Sequence, residues 1–395
     1  MPVSRCLRLP DRAAVSGCSS TPDGGPRTFS ATLAGCSIEV DEPDPARRRW
    51  LRENLSPFFV LGSSHLPGMT VQVVAGGSLD AANNLLEPDG EYLCYAFESR
   101  TGRFPGQRVG DELWLEHEAF GVRLAFSRDR VRLCPVSRTS HVDLSTFRVI
   151  RELAVAELHA RRTHLQIHAA CVEHAGRAIA IIGPKEAGKT TMVAYLCSQL
   201  GLPLIANDRV LLAWGDGPLD VTGLPTIVQV RPGTLVQMSS CFRSVPDLDR
   251  VRHLTLNEYV AACARLGPRR AAGPLRLSMP QFAHEIRTRL SPGAPLGGIA
   301  LLRFDPGARG LDVVELDNQE THQAILENSF GRPDAAHDQT AFDDAVAARG
   351  HTVPPAVGEP DLHSVTAISV RVGSDFLTSP SIAAELMSVF KRSAA

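Results

Sequence analysis

Residues His168–Thr191 read HAACVEHAGRAIAIIGPKEAGKTT. The second half holds Gly183, then Pro184, Lys185, Glu186 and Ala187, then Gly188, Lys189 and Thr190, with Thr191 following. This is the G-x-x-x-x-G-K-[ST] spacing of a phosphate-binding loop. Glycines let successive backbone N–H groups turn toward a polyphosphate. The lysine ammonium reaches its terminal phosphates, and the hydroxyl ligates Mg²⁺. A helix is expected to start here, its positive end favouring the anion. Ala178–Ile182 in front is a short apolar run of the kind that forms a buried strand.

Composition sharpens the pattern. A chain of this make-up matches it by chance about 0.002 times. The only lysines are Lys185, Lys189 and Lys391, while arginine carries almost all other positive charge. Two of the three lie in this loop, where a compact ammonium is not interchangeable with a guanidinium. Lys185 reads as a solvated loop charge and Lys189 as the phosphate ligand.

The chain has 395 residues and a formal charge of −2, which suits two domains and points neither to nucleic acid nor to a membrane. No run approaches the roughly 18 apolar residues of a membrane span, and the N-terminus lacks the apolar core of a signal peptide. A cytoplasmic protein is expected. The nine cysteines form no C-x-x-C pair and no zinc-spaced cluster with histidine, so they read as reduced, mostly buried hydrophobes.

Residues 1–28, rich in Ser, Pro, Gly and Arg, read as a disordered tail, with order beginning near Ala31. Residues 29–142 read as a β-rich accessory domain. Its strands are expected at 37–40, 70–74, 92–97, 112–115, 122–126 and 131–133, with a helix at 45–55. Alternation in the last three strands predicts antiparallel pairing with one wet face. His117, between Glu116 and Glu118, reads as part of a solvated strand rather than a metal site. Residues 143–395 read as an α/β catalytic domain. It opens with a helix over 144–162 capped by Asp143, then a hairpin of 167–173 and 177–182 that delivers the loop. The helix 190–200 and a strand over Leu204–Asp208, ending in an acid, follow. Residues 238–292, rich in Arg and Pro, read as an insertion over the site, either a solvated surface or a clamp for an acidic acceptor. Beyond it, strands are expected at 298–304, 311–316 and 365–372. A helix at 318–330 should start from the capping box of Asp317 and Glu320, 331–362 is a linker, and a last helix starts at Ser379 and Pro380.

In this order, His168, Gly183–Thr190, then Asn207 and Asp208, the chain resembles the catalytic domain of the HPr kinase/phosphorylase family. The resemblance covers about forty residues firmly and extends more weakly through GLPTIVQVRPGT and ALLRFDPG to ILENSF. It implies a P-loop kinase domain of the HPr kinase/PEP carboxykinase-like type and transfer of a phosphoryl group from ATP to a serine hydroxyl. Some relatives resemble tailoring kinases for ribosomally made peptides, so a peptide or protein serine is the expected acceptor. By this analogy Lys189 and the loop hold the β- and γ-phosphates, Thr190 and Asp208 hold Mg²⁺, and His168 lines the site. Closed homo-oligomers are also implied.

Three positions depart from the family pattern. Asn207 stands where the first of two aspartates serves as general base, Glu186 replaces the middle glycine of the loop, and Thr191 replaces an acid. An amide cannot take the acceptor's proton, and general-base help is worth about 10²- to 10⁴-fold. Because phosphoryl transfer depends mainly on positioning and charge neutralisation, the loss need not abolish it. A small-molecule hydroxyl kinase and a nucleotide-binding regulator without transfer remain as alternatives.

Overall fold

The computed structural model describes residues 26–63, 68–74, 93–96, 103–117, 121–136, 141–213, 219–231, 234, 238, 275–305, 307–330, 341–347, 349, 362–373, 376 and 380–392. It is mixed α/β, with two large mixed sheets, a two-stranded ribbon and, among the described residues, seven helices.

The first sheet begins with β1 (Thr28–Leu33) and β2 (Cys36–Asp41), a hairpin turned by Ala34 and Gly35, both at positive φ. Such a two-residue turn matches the twist of the strands it joins. Order therefore starts before Ala31: Phe29, Ala31 and Leu33 alternate with Ser30 and Thr32 and put an apolar row into the core. α1 (Pro45–Leu55) starts where Asp44 accepts from Ala46 N and Arg47 N, with proline in the first turn, where its missing N–H costs nothing. The strands β3 (Val60–Gly62), β4 (Met69–Val73), β5 (Leu93–Ala96), β6 (Arg103–Val109), β7 (Glu112–His117), β8 (Val122–Phe126) and β9 (Arg130–Pro135) complete it. The order is β3-β1-β2-β4-β9-β8-β7-β6-β5. The antiparallel β7–β8–β9 is as expected. Its second face is not simply wet, however, because Trp114, Ala125 and Cys134 are buried there in a small cluster of their own. The side chain of His117 and residue Glu118 lie outside the described residues.

α2 (Val142–Ala160) buries 14 of its 19 residues. A surface helix buries one stripe, so burial all round means contact on opposite sides. One hydrophobic cluster accordingly joins its apolar residues to both the first sheet and the second. Asp143 is not its N-cap. That position is His141, without a side-chain cap, and Asp143 accepts from Leu144 N inside the first turn.

The second sheet takes β10 (His164–Ile167), β11 (Ala169–His174) and β12 (Arg177–Ile182), then α3 (Lys189–Leu200). β11 and β12 form the expected hairpin around Ala175 and Gly176, but β10 is a separate strand, paired with β14 and β20 instead. β13 (Leu204–Ala206), β14 (Val210–Ala213), β15 (Asp220–Gly223) and β16 (Ile227–Val230) follow. The Arg- and Pro-rich stretch is only partly described, and its described end is not an overlay. β17 (Leu275–Ser278) pairs with β16, and α4 (Met279–Glu285) follows from a capping box of Ser278 and Gln281. Phe282 and Ile286 are fully buried, so the end of this stretch is core.

β18 (Gly293–Phe304) is the longest strand. It pairs parallel with β12 and antiparallel with β15. β19 (Leu311–Glu315), α5 (Asn318–Glu327), β20 (Ser329–Phe330), α6 (Ala341–Ala347), β21 (Thr366–Val372) and α7 (Pro380–Arg392) end the described chain. Both bonds of the Asp317–Glu320 capping box are present, whereas α6 interrupts what reads as a linker. The strand path is β13-β11-β12-β18-β15-β14-β10-β20, with β21 pairing β18 and β19. Among the described residues no helix is long and apolar enough to cross a membrane. Cys36, Cys134, Cys171 and Cys197 are free and buried.

Candidate functional site

The strand register builds the site. Ala169 of β11 pairs with Ile182, the last residue of β12. This puts His168, the single residue between β10 and β11, beside Gly183 at the start of the loop. β13 runs antiparallel to β11, with Ala206 opposite Cys171, so its C-terminal end returns toward His168 and carries Asn207 and Asp208 there. Three stretches far apart in sequence thus converge at one edge.

The loop departs from β12 through a position that only glycine fits. Gly183 has φ +147, and a Cβ there would lie 2.6 Å from the carbonyl oxygen of Leu302. Gly188 (φ +95) ends the loop, and Glu186 also takes a left-handed conformation at φ 73. This is costly for a side chain of its kind. Its carboxylate accepts from Arg231 Nη1 at 2.8 Å, an ion pair across the loop. Lys185 is exposed, as expected of a solvated charge, and Pro184 is exposed beside it, while Ala187 is buried. Lys189 turns back under the loop and donates to Gly183 O at 2.7 Å and Pro184 O at 3.1 Å. Burial pushes its ammonium down to about 8, against the pull of the Asp208 carboxylate. Thr190 and Thr191 lie in the first turn of α3, half-buried, and Thr191 Oγ1 bonds Thr234 Oγ1 at 2.9 Å. Gly188 at the N-cap has no side chain to satisfy the first-turn N–H groups, which leaves them to water or an anion.

Across from the loop, His168 Nε2 lies 3.2 Å from Asp208 Oδ1. Burial works to raise the Asp208 carboxyl. The hydrogen bond and charge of His168, with Arg209 and Arg151 behind, outweigh it and hold the group below the usual carboxylate value. Asn207 is 5% exposed, and its Oδ1 is buried with no hydrogen-bond partner among the described residues. A buried polar atom left so is costly, and an oxygen of this kind is ready to accept from a ligand.

Four contributors escape a reading of the sequence. Asn328, just past α5, accepts from Gly183 N through Oδ1 at 3.1 Å, and its backbone oxygen accepts from His168 N at 2.7 Å. One residue thereby fixes both the loop and the histidine. Phe330 lies 5.6 Å from the His168 ring and 4.7 Å from the Arg209 guanidinium. Arg209 in turn faces Glu152 on α2. Arg231 pairs with Glu186 as above. The available signals were faint: Asn328 and Phe330 lie in ILENSF, and Arg151 and Glu152 are charges inside a helix buried on all sides.

No model of a known protein family matches this chain, and no curated protein matches it.

Proposed function

We propose that the chain is an ATP-dependent, Mg²⁺-requiring kinase with an HPr kinase-like catalytic domain, transferring the γ-phosphoryl group to a hydroxyl, serine of a peptide or protein. The observation that carries this reading is the strand register that returns Asp208 to His168, 3.2 Å from Nε2 to Oδ1, beside the start of the loop that ends in Lys189. The loop N–H groups and Lys189 would take the β- and γ-phosphates. The acceptor oxygen attacks the γ-phosphorus, the bond from that phosphorus to the bridging oxygen breaks, and ADP leaves with the electron pair. Asn207 has no basic site, so the hydroxyl proton passes to the Asp208–His168 pair. Asn207 Oδ1, left without a partner among the described residues, would accept instead from an N–H of the acceptor peptide and so orient it.

The donor set also fits a hard cation. Thr190 and Asp208 offer a hydroxyl and a carboxylate, and Mg²⁺ in nucleotide sites is held by one or two carboxylates plus phosphate oxygens and water. Bound there, Mg²⁺ would neutralise charge on the phosphates. Among the described residues no group of three or more His, Cys, Asp or Glu converges as a separate metal site.

The test is transfer of labelled γ-phosphate from Mg-ATP by wild type, Lys189→Ala and Asp208→Asn, against peptide-size and metabolite-size fractions of the source cell. Label in a peptide, lost in both variants, is expected; transfer unchanged in Lys189→Ala refutes the assignment. Label in the metabolite fraction would identify a small-molecule kinase. The second reading, a nucleotide-binding regulator, is favoured by the amide at Asn207 and the Glu186–Arg231 pair across the loop. It requires Mg-ATP binding without transfer, and Asn207→Asp should then raise turnover if only the base is missing.

A further inference from the structure

α2 carries two charged residues into the interior of the fold, Arg151 at 4% exposure and Glu152 at 8%. Arg151 Nε donates to Glu152 Oε1 at 2.8 Å, and its Nη1 reaches the carbonyl of Pro225 at 3.3 Å. The same Glu152 oxygen faces Arg209 Nη1 at 3.6 Å, and Arg209 Nε faces Asp208 Oδ2 at 3.6 Å. Both distances exceed a direct hydrogen bond. Arg209 thus stands at ion-pair distance from both acids. Its guanidinium lies over the Phe330 ring at 4.7 Å, and that ring also lies beside His168. Asp208 thus has Oδ1 at 3.2 Å from His168, while Oδ2 faces Arg209 without a direct hydrogen bond from it.

Stability alone does not account for this chain. Desolvating charges costs about as much as their attraction returns, and apolar residues of similar volume commonly do as well. Position accounts for it better, because a carboxylate set by His168 on Oδ1 and faced by a guanidinium held at 3.6 Å from Oδ2 is preorganised. We infer that Glu152 is a positioning residue for Asp208: by holding Arg209 back across Phe330, it keeps the guanidinium from closing on the carboxylate. Its catalytic consequence rests on the kinase reading above, but the linkage itself does not. It also gives α2, which packs on the first sheet, a direct hold on the site.

The linkage is tested by a thermal-denaturation cycle on the full chain with Glu152→Gln, Asp208→Asn and the double variant. In wild type either acid can hold Arg209 when the other is lost. The double variant leaves the guanidinium buried with neither, so its melting temperature is expected to fall below the sum of the single effects by about 1–3 °C. In an Arg209→Gln background the effects should add. Additivity with Arg209 present overturns the inference. The kinetic arm measures kcat and KM: Glu152→Gln should lower kcat about tenfold with KM for ATP within twofold, because Glu152 bonds Arg151 and faces Arg209 rather than the loop. A parallel loss in KM would mark a merely structural role and overturn it too. Should the single variant not fold, Glu152→Gln/Arg209→Gln, which removes both charges together, is expected to show the same kcat loss, and wild-type kcat there refutes the proposal. If wild type transfers no phosphate, the kinase reading falls, while the cycle still decides the linkage.

Discussion

Replacing Asn328 with alanine should loosen the phosphate loop from behind. Its side chain accepts from Gly183 N at 3.1 Å and donates to Ala324 O at 2.8 Å. Each such bond contributes about 0.5–1.5 kcal/mol net, and leaving the N–H of buried Gly183 unsatisfied costs about 1–3 kcal/mol. A total near 2.5 kcal/mol follows. For 395 residues the unfolding entropy is about 0.8 kcal/mol/K, so the melting temperature should fall by about 3 °C if the chain unfolds as one unit. Nucleotide affinity should fall as well, because Gly183 is the first residue of the loop. Asn328→Asp separates the two effects: it keeps an acceptor for Gly183 N but adds a negative charge beside the phosphate position. It is expected to preserve more of the stability than alanine and yet to bind a fluorescent ATP analogue more weakly than wild type. The assays are calorimetry and fluorescence titration. A melting temperature within 1 °C of wild type and unchanged affinity for Asn328→Ala would refute the idea that this residue braces the loop.

Three further expectations concern the loop and the core. On the proposed function Lys189 holds phosphate as the ammonium, a form that is complete well below pH 8 and is lost as pH rises through about 8; apparent ATP affinity should be level from pH 6.5 to 7 and fall about tenfold between pH 8.5 and 9.5, and constant affinity across that range in a titration series would contradict it. Gly183→Ala drives a Cβ to 2.6 Å from Leu302 O, so β12 and β18 must part; overpacking of about 1–3 kcal/mol should appear in denaturant melts, with weakened nucleotide binding. Phe282→Ala, at a fully buried position in α4, should cost about 3–5 kcal/mol, whereas Arg276→Ala at an exposed position should change stability by less than about 0.5 kcal/mol; equal, small effects would show that 275–286 lies over the fold rather than in it.

Local chemistry was readable where a few neighbouring residues decide the conformation. Asp44 before Pro45, Asp317 with Glu320, and the turn at Ala175 and Gly176 each carry their own hydrogen-bond or φ requirement. The two glycines of the loop read for the same reason, since Gly183 and Gly188 both answer to backbone sterics. Pairings over long distance did not read. Nothing near His168 tells that β10 and β11 part company there, or that Asp208 returns to it, because both follow from register set by strands elsewhere. The alternation of β7 and β8 promised one wet face, yet Trp114 and Ala125 show that polar neighbours do not guarantee an open side. The arginines and prolines of 238–292 likewise masked Phe282 and Ile286, two apolar residues that decide how that segment ends.

β18 bears on how the protein is made. Ile182, the residue before the phosphate loop, pairs with Leu301, so β12 waits roughly 120 residues for its neighbour, about 6–24 s at ordinary rates of synthesis. Until then the nascent chain presents the strand Ala178–Ile182 with one edge unpaired, a template for other chains. The loop also lacks the Leu302 carbonyl against which Gly183 is seated. A ribosome-bound fragment ending before residue 293 should therefore bind no nucleotide and depend on chaperones. Competence should arrive in one step as residues 293–304 clear the exit tunnel.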